Sequence, residues 1–352
     1  MNACATKKRK ISPNVADATN SSSKSINYSA EADISSPTNS NIKQIPFIDD
    51  IIFEILRFLV SLFIVRVCMK ISKQWRRVSF RIPLSLSLES KLSKQVREPI
   101  KLLADCECLK NLHYLGINFS RVGNQDVKYI AHSEYLKTLT SLSLYGNQIG
   151  NEGAKCIANS ERLKNLTSLN MNGNQVDNEG INYIANSEFL KNLIYLDLSY
   201  NKIGHEGVKC IANSECLKNL TSLDLRGNSI DIEGVKYIAN GELLKNLTSL
   251  DLSFNLIDNE GVKYIAKSEC LKNLTSLDLS GNQIGNEGVI HISNSEWLKN
   301  LTCLNLEFNQ IGNEGVKYIA NSECLKNLTS LNLQGNQIDN VRNILRNLND
   351  WK

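Results

Sequence analysis

The side chains of this sequence that most often carry nucleophilic or metal chemistry are its four histidines and ten cysteines. The histidines share no common spacing with a cysteine or serine, so they predict no catalytic pair or triad; they are His113, His132, His205 and His291. Cys106 and Cys108 form one C-x-C without a second pair or a histidine cluster at zinc-ligand spacing. No glycine-rich phosphate loop stands apart from the repeated sequence. The sequence therefore predicts no catalytic residue, metal site or cofactor.

Charge gives a second pattern, because four aspartates recur at one regular interval: Asp197, Asp224, Asp251 and Asp278. In adjacent strands they would lie ~5 Å apart and repel one another, which a basic partner could relieve. The predicted target-binding face consists of these aspartates with Tyr145, Arg226 and Glu307. Tyr200, Phe254 and Phe308 follow one residue after the column that contains Arg226 and Glu307. The alternative is that aspartate is simply the residue favoured in the repeated strand.

These residues belong to a 27-residue repeat. Aligning the chain on LKNL gives nine consecutive units, beginning at Leu109, Leu136, Leu163, Leu190, Leu217, Leu244, Leu271, Leu298 and Leu325. Within TSLDLS, Leu277 and Leu279 alternate with polar residues, which predicts a strand with one buried face. Val262 and Ile265, three residues apart, predict a helix that covers the strand's apolar side. One unit cannot bury its own apolar face, so the units must stack.

Stacking predicts an α/β solenoid with a curved parallel sheet inside and helices outside. An asparagine recurs where each strand ends, and its amide can satisfy the backbone groups of the turn; the column is Asn147, Asn174, Asn201, Asn228, Asn255, Asn282, Asn309 and Asn336. We interpret these asparagines as structural. The glycines from Gly153 to Gly315 at the helix starts are predicted to allow close approach to the neighbouring unit.

The pattern L-x-x-L-x-L-x-x-N-x-I, followed by a helical stretch, resembles the leucine-rich repeat in its ribonuclease-inhibitor-like class. Leu247, Leu250, Leu252, Asn255 and Ile257 show it in one unit. The resemblance covers residues 109–352 and implies a binding surface on the concave sheet. Some proteins of this kind activate small GTPases through an inserted arginine, and Arg121 in the first unit is the candidate for that alternative.

The N-terminal third differs in composition. Residues 1–104 contain 17 basic and 8 acidic residues, whereas the rest contains 23 and 28. Residues 1–43 are polar and are predicted to be disordered, and no secretory signal is predicted. The cysteines of the repeats are therefore expected to be reduced packing residues of a cytoplasmic protein. Lys7–Lys10 (KKRK) is either a nuclear import signal or a solvated charge run.

Residues 44–81 predict two or three short amphipathic helices. Glu54, Arg57 and Arg66 interrupt the apolar stretch 51–69, so it is too short for a membrane span. Ile45-Pro46, the acidic pair Asp49-Asp50, the apolar helix and SKQWRR resemble an F-box, although one residue is inserted after Pro46. Residues 82–108 are predicted to link this unit to the solenoid and cap it, and Val341, Ile344, Leu345 and Leu348 to face inward from a closing helix.

An F-box followed by leucine-rich repeats implies a substrate-recognition subunit of a Skp-cullin-F-box ubiquitin ligase, with an unknown protein target on the repeats. The implied adaptor contacts are Pro46, Ile51, Ile52, Ile55, Leu59, Trp75, Arg76 and Arg77. No nucleic-acid or membrane partner is expected. The alternative is a scaffold or inhibitor in which residues 44–81 only cap the solenoid.

Overall fold

The computed structural model describes residues 84–89 and 99–339. Ten parallel strands lie side by side in chain order in one sheet. They are β1 (Leu84–Glu89), β2 (Leu112–Asn118), β3 (Ser141–Ser143), β4 (Ser168–Asn170), β5 (Tyr195–Asp197), β6 (Ser222–Asp224), β7 (Ser249–Asp251), β8 (Ser276–Asp278), β9 (Cys303–Asn305) and β10 (Ser330–Asn332).

A helix follows most strands and packs on the other side of the stack. The helices are α1 (Pro99–Ala104), α2 (Asn124–His132), α3 (Asn151–Ala158), α4 (Asn178–Ala185), α5 (His205–Ala212), α6 (Ile232–Ala239), α7 (Asn259–Ala266), α8 (Asn286–Ser293) and α9 (Asn313–Ala320). Short 3-10 helices precede several strands, at Glu107–Leu109, Glu161–Leu163, Glu188–Leu190, Glu215–Leu217, Glu242–Leu244 and Glu269–Leu271. The predicted leucine-rich-repeat solenoid is confirmed.

Local sequence determines each helix. In α7 the Asp258 side chain accepts the Gly261 N–H at 2.8 Å, which satisfies one of the donors that a helix start leaves free. Val262 and Ile265 are fully buried on the side that faces the strands. Lys263 and Glu260 form an exposed ion pair of 2.9 Å on the opposite side. The helix is therefore amphipathic in the sense that its three-residue spacing predicts.

The strands pair in register by one repeat. Leu196 lies opposite Leu223, and Leu223 lies opposite Leu250, so each central leucine stacks on its equivalent in the neighbouring unit. These leucines point inward and are at most 1% exposed. A single hydrophobic cluster runs from Leu86 to Leu325 along the whole stack. Each unit thus obtains its core from its neighbours, as the repeat predicts.

The asparagine column bridges neighbouring repeats. Asn228 donates from Nδ2 to the Leu198 carbonyl of the preceding repeat at 2.9 Å and to the Leu225 carbonyl of its own at 3.1 Å. Its Oδ1 accepts the Ile203 N–H at 3.2 Å. The asparagines of this column from Asn147 to Asn309 are buried. The interpretation of these asparagines as structural is confirmed.

At the N-terminal end, β1 pairs with β2 in parallel, so the serine-alternating strand is the first of the sheet.

Cys106 is disulfide-bonded. Six other cysteines are free thiols, and Cys156 and Cys210 among them pack against the core. In the described ranges no helix has the length and apolarity that a membrane span requires.

Several predictions fall on residues 1–83, 90–98 and 340–352, outside the described residues. They are the disordered tail with Lys7–Lys10, the helical unit at 44–81 with all its adaptor contacts, most of the linker, and the closing helix. These remain predictions.

Candidate protein-binding surface

The four aspartates lie in neighbouring strands on the face of the sheet that points away from the hydrophobic core. Register pairs Asp197 with Asp224, Asp224 with Asp251, and Asp251 with Asp278. Because the preceding leucine in each strand points into the core, the aspartate points away from it. We call Asp197, Asp224, Asp251 and Asp278 the acidic row.

Each carboxylate of the acidic row has a structural task. One oxygen accepts the backbone N–H two residues later: Asp224 Oδ1 accepts that of Arg226 at 2.9 Å, and Asp251 Oδ1 that of Ser253 at 2.9 Å. In two other repeats the equivalent strand residue is an asparagine, Asn170 or Asn305, and its amide oxygen likewise accepts the backbone N–H two residues later. The turn therefore needs an oxygen acceptor, and asparagine supplies one without the charge. The negative charges exceed what the backbone requires.

Arg226 sits among these carboxylates. Its guanidinium donates to Asp251 Oδ2 at 2.7 Å and from Nε to Ser253 Oγ at 2.8 Å. At the ends of the row, Asp197 Oδ2 accepts Asn170 Nδ2 at 2.7 Å, and Asp278 Oδ2 accepts Asn305 Nδ2 at 2.8 Å. The acidic row thus consists of four carboxylates with one cation, Arg226, beside them, and neighbouring polar side chains hold them in place.

This crowding alters the acidity of two groups. Burial, together with the charges of Asp251 and Asp197, raises the pKa of Asp224 to about 7, and the Arg226 backbone N–H and guanidinium only partly oppose the shift. Burial and then the charge of Asp197 raise the pKa of Tyr195 to about 12. The raised pKa of Asp224 therefore reflects its burial first and its two aspartate neighbours second.

The raised pKa of Asp224 predicts that the contribution of this residue to the free energy of unfolding depends on pH. The folded chain holds the Asp224 proton more tightly than the unfolded chain, so this group lowers stability as pH rises from about 4 to about 7. Asp224→Asn keeps the oxygen that accepts the Arg226 N–H. We expect the variant to gain about 2 kcal/mol more over the wild type at pH 8 than at pH 5. Urea denaturation at both pH values measures it.

The matched control for that experiment is Asp258→Asn, which removes one carboxylate from the exposed helical side and retains the cap of α7. The effect of the acidic row is the gain of Asp224→Asn beyond this control. An equal gain at pH 5 and pH 8 would contradict the assignment.

The other predicted face residues lie on the same surface but further along it. Tyr145, beyond β3, is 36% exposed and packs edge-on against Phe119 with ring centroids 4.4 Å apart. Glu307, beyond β9, accepts Asn332 Nδ2 at 2.9 Å. The structure therefore brings the acidic row and Arg226 into one patch, with Tyr145 and Glu307 towards its two sides. Arg121 lies exposed in the turn before α2.

A row of exposed aromatic rings lies beside the predicted face, at positions where the sequence pattern already indicates candidate binding hot spots. Tyr200, Phe254 and Phe308 each come three residues after the last residue of a strand. All three have positive φ, at 51°, 54° and 52°. In the next repeat the equivalent residue is glycine each time: Gly227, Gly281 and Gly335.

A shallow groove of about 790 Å³ lies beside the N-terminal ends of the strands, lined largely by threonines and asparagines. Its polar side chains are engaged between repeats: Thr167 Oγ1 donates to the Thr140 carbonyl at 3.1 Å, and Asn165 Nδ2 donates to the Lys137 carbonyl at 2.8 Å. This groove is therefore a product of the repeat connections. In the described part of the chain no three His, Cys, Asp or Glu side chains are placed to hold a metal ion.

Similarity to known proteins is found among solved structures and family models. No curated protein sequence matches the chain. Among solved structures, the chain is similar to the crystal structure of an internalin from Listeria monocytogenes, with 23% identity, 83% of this chain and 93% of that chain covered, and a TM-score of 0.45.

A family model described as leucine-rich repeat matches eight successive segments, at 135–158, 162–185, 189–212, 216–239, 244–266, 270–293, 298–320 and 324–341. These matches follow the 27-residue units and together span more than half of the chain. The chain therefore belongs to the leucine-rich-repeat family.

Proposed function

We propose that this chain is a substrate-recognition subunit of a Skp-cullin-F-box ubiquitin ligase. Leucine-rich repeats are protein-interaction modules, and the observation that carries the binding role is the exposed sheet surface with its acidic row and aromatic rings. A subunit of this kind transfers nothing itself. It holds a target close to the ligase and so raises the effective concentration of that target at the enzyme.

The ubiquitin link rests on the sequence at residues 44–81. Pro46, Ile55, Leu59 and Trp75 resemble the apolar positions of an F-box, although one residue is inserted after Pro46, and a predicted apolar helical face of that size in a small unit needs a partner to cover it. The proposal places adaptor contacts in this unit and target contacts on the sheet surface. It is compatible with a cytoplasmic protein, or with a nuclear one if Lys7–Lys10 acts as an import signal.

Binding of a purified Skp-type adaptor to the full chain tests the proposal. We expect the wild type to retain the adaptor, and Leu59→Asp or Trp75→Ala to bind at least about tenfold more weakly, because each removes an apolar anchor. The measurement is surface-immobilised binding at several adaptor concentrations. Thermal unfolding of each variant establishes that the solenoid is intact.

The matched control is Tyr318→Ala, which removes an exposed aromatic ring from the helical side of the solenoid and should leave adaptor binding unchanged. A wild-type chain that does not bind the adaptor, or variants that bind it equally well, would favour the alternative of a scaffold or inhibitor without a ubiquitin link. Stimulated GTP hydrolysis that depends on Arg121 would instead favour the hypothesis of a GTPase activator.

A further inference from the structure

Three exposed aromatic residues form a regular series along one margin of the sheet surface. We call Tyr200, Phe254 and Phe308 the aromatic ladder. Successive members are two repeats apart in sequence, whereas Phe119, an exposed aromatic residue of the same column, lies three repeats before Tyr200 and is outside this interval. The three residues of the ladder are 51%, 48% and 53% exposed. About half of the surface of each aromatic residue is therefore open to solvent at a two-repeat interval.

The backbone under the ladder is strained for these residue types. A β-carbon in the left-handed region costs about 1–2 kcal/mol per residue, which glycine avoids. In the intervening repeats the same column is glycine at similar φ, with Gly227 at 64° and Gly281 at 63°. The turn itself is therefore compatible with glycine throughout. Strain that the fold does not require points to a role for the rings.

Each ring is held in place by the glycine of the next repeat. A Cβ built on Gly281 would lie 2.7 Å from Phe254 Cδ1, and one built on Gly227 would lie 2.7 Å from Tyr200 Cδ1. The rings thus lie directly on bare backbone, and each ring extends over two repeats. A ring fixed in this way loses little side-chain entropy when a ligand binds.

The interval of the ladder selects one peptide conformation. With strands ~4.8 Å apart, successive rings are ~9.6 Å apart. A polyproline-II helix has three residues per turn and rises ~9.3 Å per turn, so every third side chain meets a ring. Same-side residues of a β-strand recur at ~6.7 Å. An α-helix returns to the same stripe after seven residues, or ~10.5 Å, and is out of step by ~2 Å at the third ring.

The charges beside the ladder have the same interval. Arg226 pairs with Asp251 at 2.7 Å. Among the described residues, no lysine or arginine lies within ion-pair distance of Asp224 or Asp278; the same holds for Asp197, but that residue is only 5% exposed. These two carboxylates are also two strands apart, at ~9.6 Å. A polyproline-II helix has three rows of side chains, so it can direct one row to the rings and the adjacent row to the carboxylates.

We propose that the aromatic ladder together with Asp224 and Asp278 binds a basic polyproline-II segment of a partner protein, with proline against the rings and arginine or lysine against the carboxylates. The partner class rests on the protein-binding part of the proposed function and not on the ubiquitin link. Aromatic surfaces bind proline-rich segments because such segments are already extended and lose little entropy on binding.

A nine-residue peptide of three Pro-Arg-Pro triplets, titrated into the full chain by fluorescence anisotropy, tests this inference. We expect Phe254→Gly to weaken binding about tenfold. Phe254 is the central ring of the ladder, so its removal leaves no two rings at the two-repeat interval. The substitution installs the residue that neighbouring repeats already carry, so folding should be preserved. At pH 8, above the Asp224 pKa of about 7, Asp224→Asn with Asp278→Asn should weaken binding and reduce its dependence on salt.

Three peptides act as references: Pro-Glu-Pro triplets, an arginine-bearing helical peptide and an arginine-bearing strand-forming peptide. Tyr318→Ala is the control variant and should bind like the wild type. The inference is overturned if the Pro-Arg-Pro peptide does not bind at millimolar concentration, if the helical or strand-forming peptide binds as well, or if Phe254→Gly has no effect. None of these results depends on residues 44–81, so adaptor binding can succeed or fail independently.

Discussion

Asn255→Ala should lower the free energy of unfolding by about 4 kcal/mol, the largest effect that we expect from a single substitution. Asn255 is 6% exposed. Its Oδ1 accepts the N–H groups of Asn228 at 3.0 Å and Ile230 at 2.9 Å, and its Nδ2 donates to the Leu225 carbonyl at 3.1 Å and to its own turn. Alanine leaves these buried backbone groups without partners in two repeats at once.

Urea denaturation, followed by circular dichroism, measures the loss. Stacked repeats can unfold in parts, so amide hydrogen exchange should accompany it, with the largest increase in rate around β6 and β7. The matched control is Asn246→Ala, an exposed asparagine with one bond of 2.9 Å to the Lys218 carbonyl, for which we expect about 0.5 kcal/mol. Equal losses for the two variants would refute the bridging role of the column.

Gly207→Val should cost about 3 kcal/mol through a clash between repeats. A Cβ on Gly207 would lie 2.7 Å from Asn178 Oδ1 and 2.7 Å from Ile203 Cγ2. That same Asn178 oxygen accepts the N–H groups of Gly204 at 2.9 Å and Gly207 at 3.0 Å. A side chain here therefore both overpacks the core and displaces the acceptor that holds α5 to α4.

The control for this variant is Gly123→Ser, also at a helix start. A Cβ on Gly123 would have no neighbour within 4 Å, and serine is a favourable residue before a helix, so the change should stay within about 0.5 kcal/mol. Thermal and urea unfolding of both variants measure the contrast. A Gly207→Val chain as stable as the Gly123→Ser chain would show that the close approach is not needed.

The glycine and asparagine columns could be assigned from the sequence because every unit must make the same contacts with its neighbours. One unit shows a polar residue where a strand ends, and the other units show that the position tolerates little else. The pattern could not identify the partner of Gly207, since Asn178 lies in the preceding repeat and is one polar residue among several. The contact exists only once α4 and α5 are stacked.

The candidate site shows the same division. The sequence placed Asp224 in a row of aspartates, but an aspartate in water at the end of a strand would carry no unusual acidity. Its pKa of about 7 depends on burial and on two neighbours from other repeats. Arg226 likewise has several carboxylates within its reach in the pattern, and only packing assigns it to Asp251.

By itself the sequence determined the repeating unit, the stacking of units and the side of each strand that faces solvent, because hydrophobic periodicity and the need to bury apolar surface leave one arrangement. Only the tertiary structure decided which carboxylates are neutralised and which aromatic rings lie on glycine and remain exposed. The physical reason is distance: stacking brings equivalent residues of successive repeats to within ~5 Å of each other, and charge and ring contacts are determined at that range rather than along the chain.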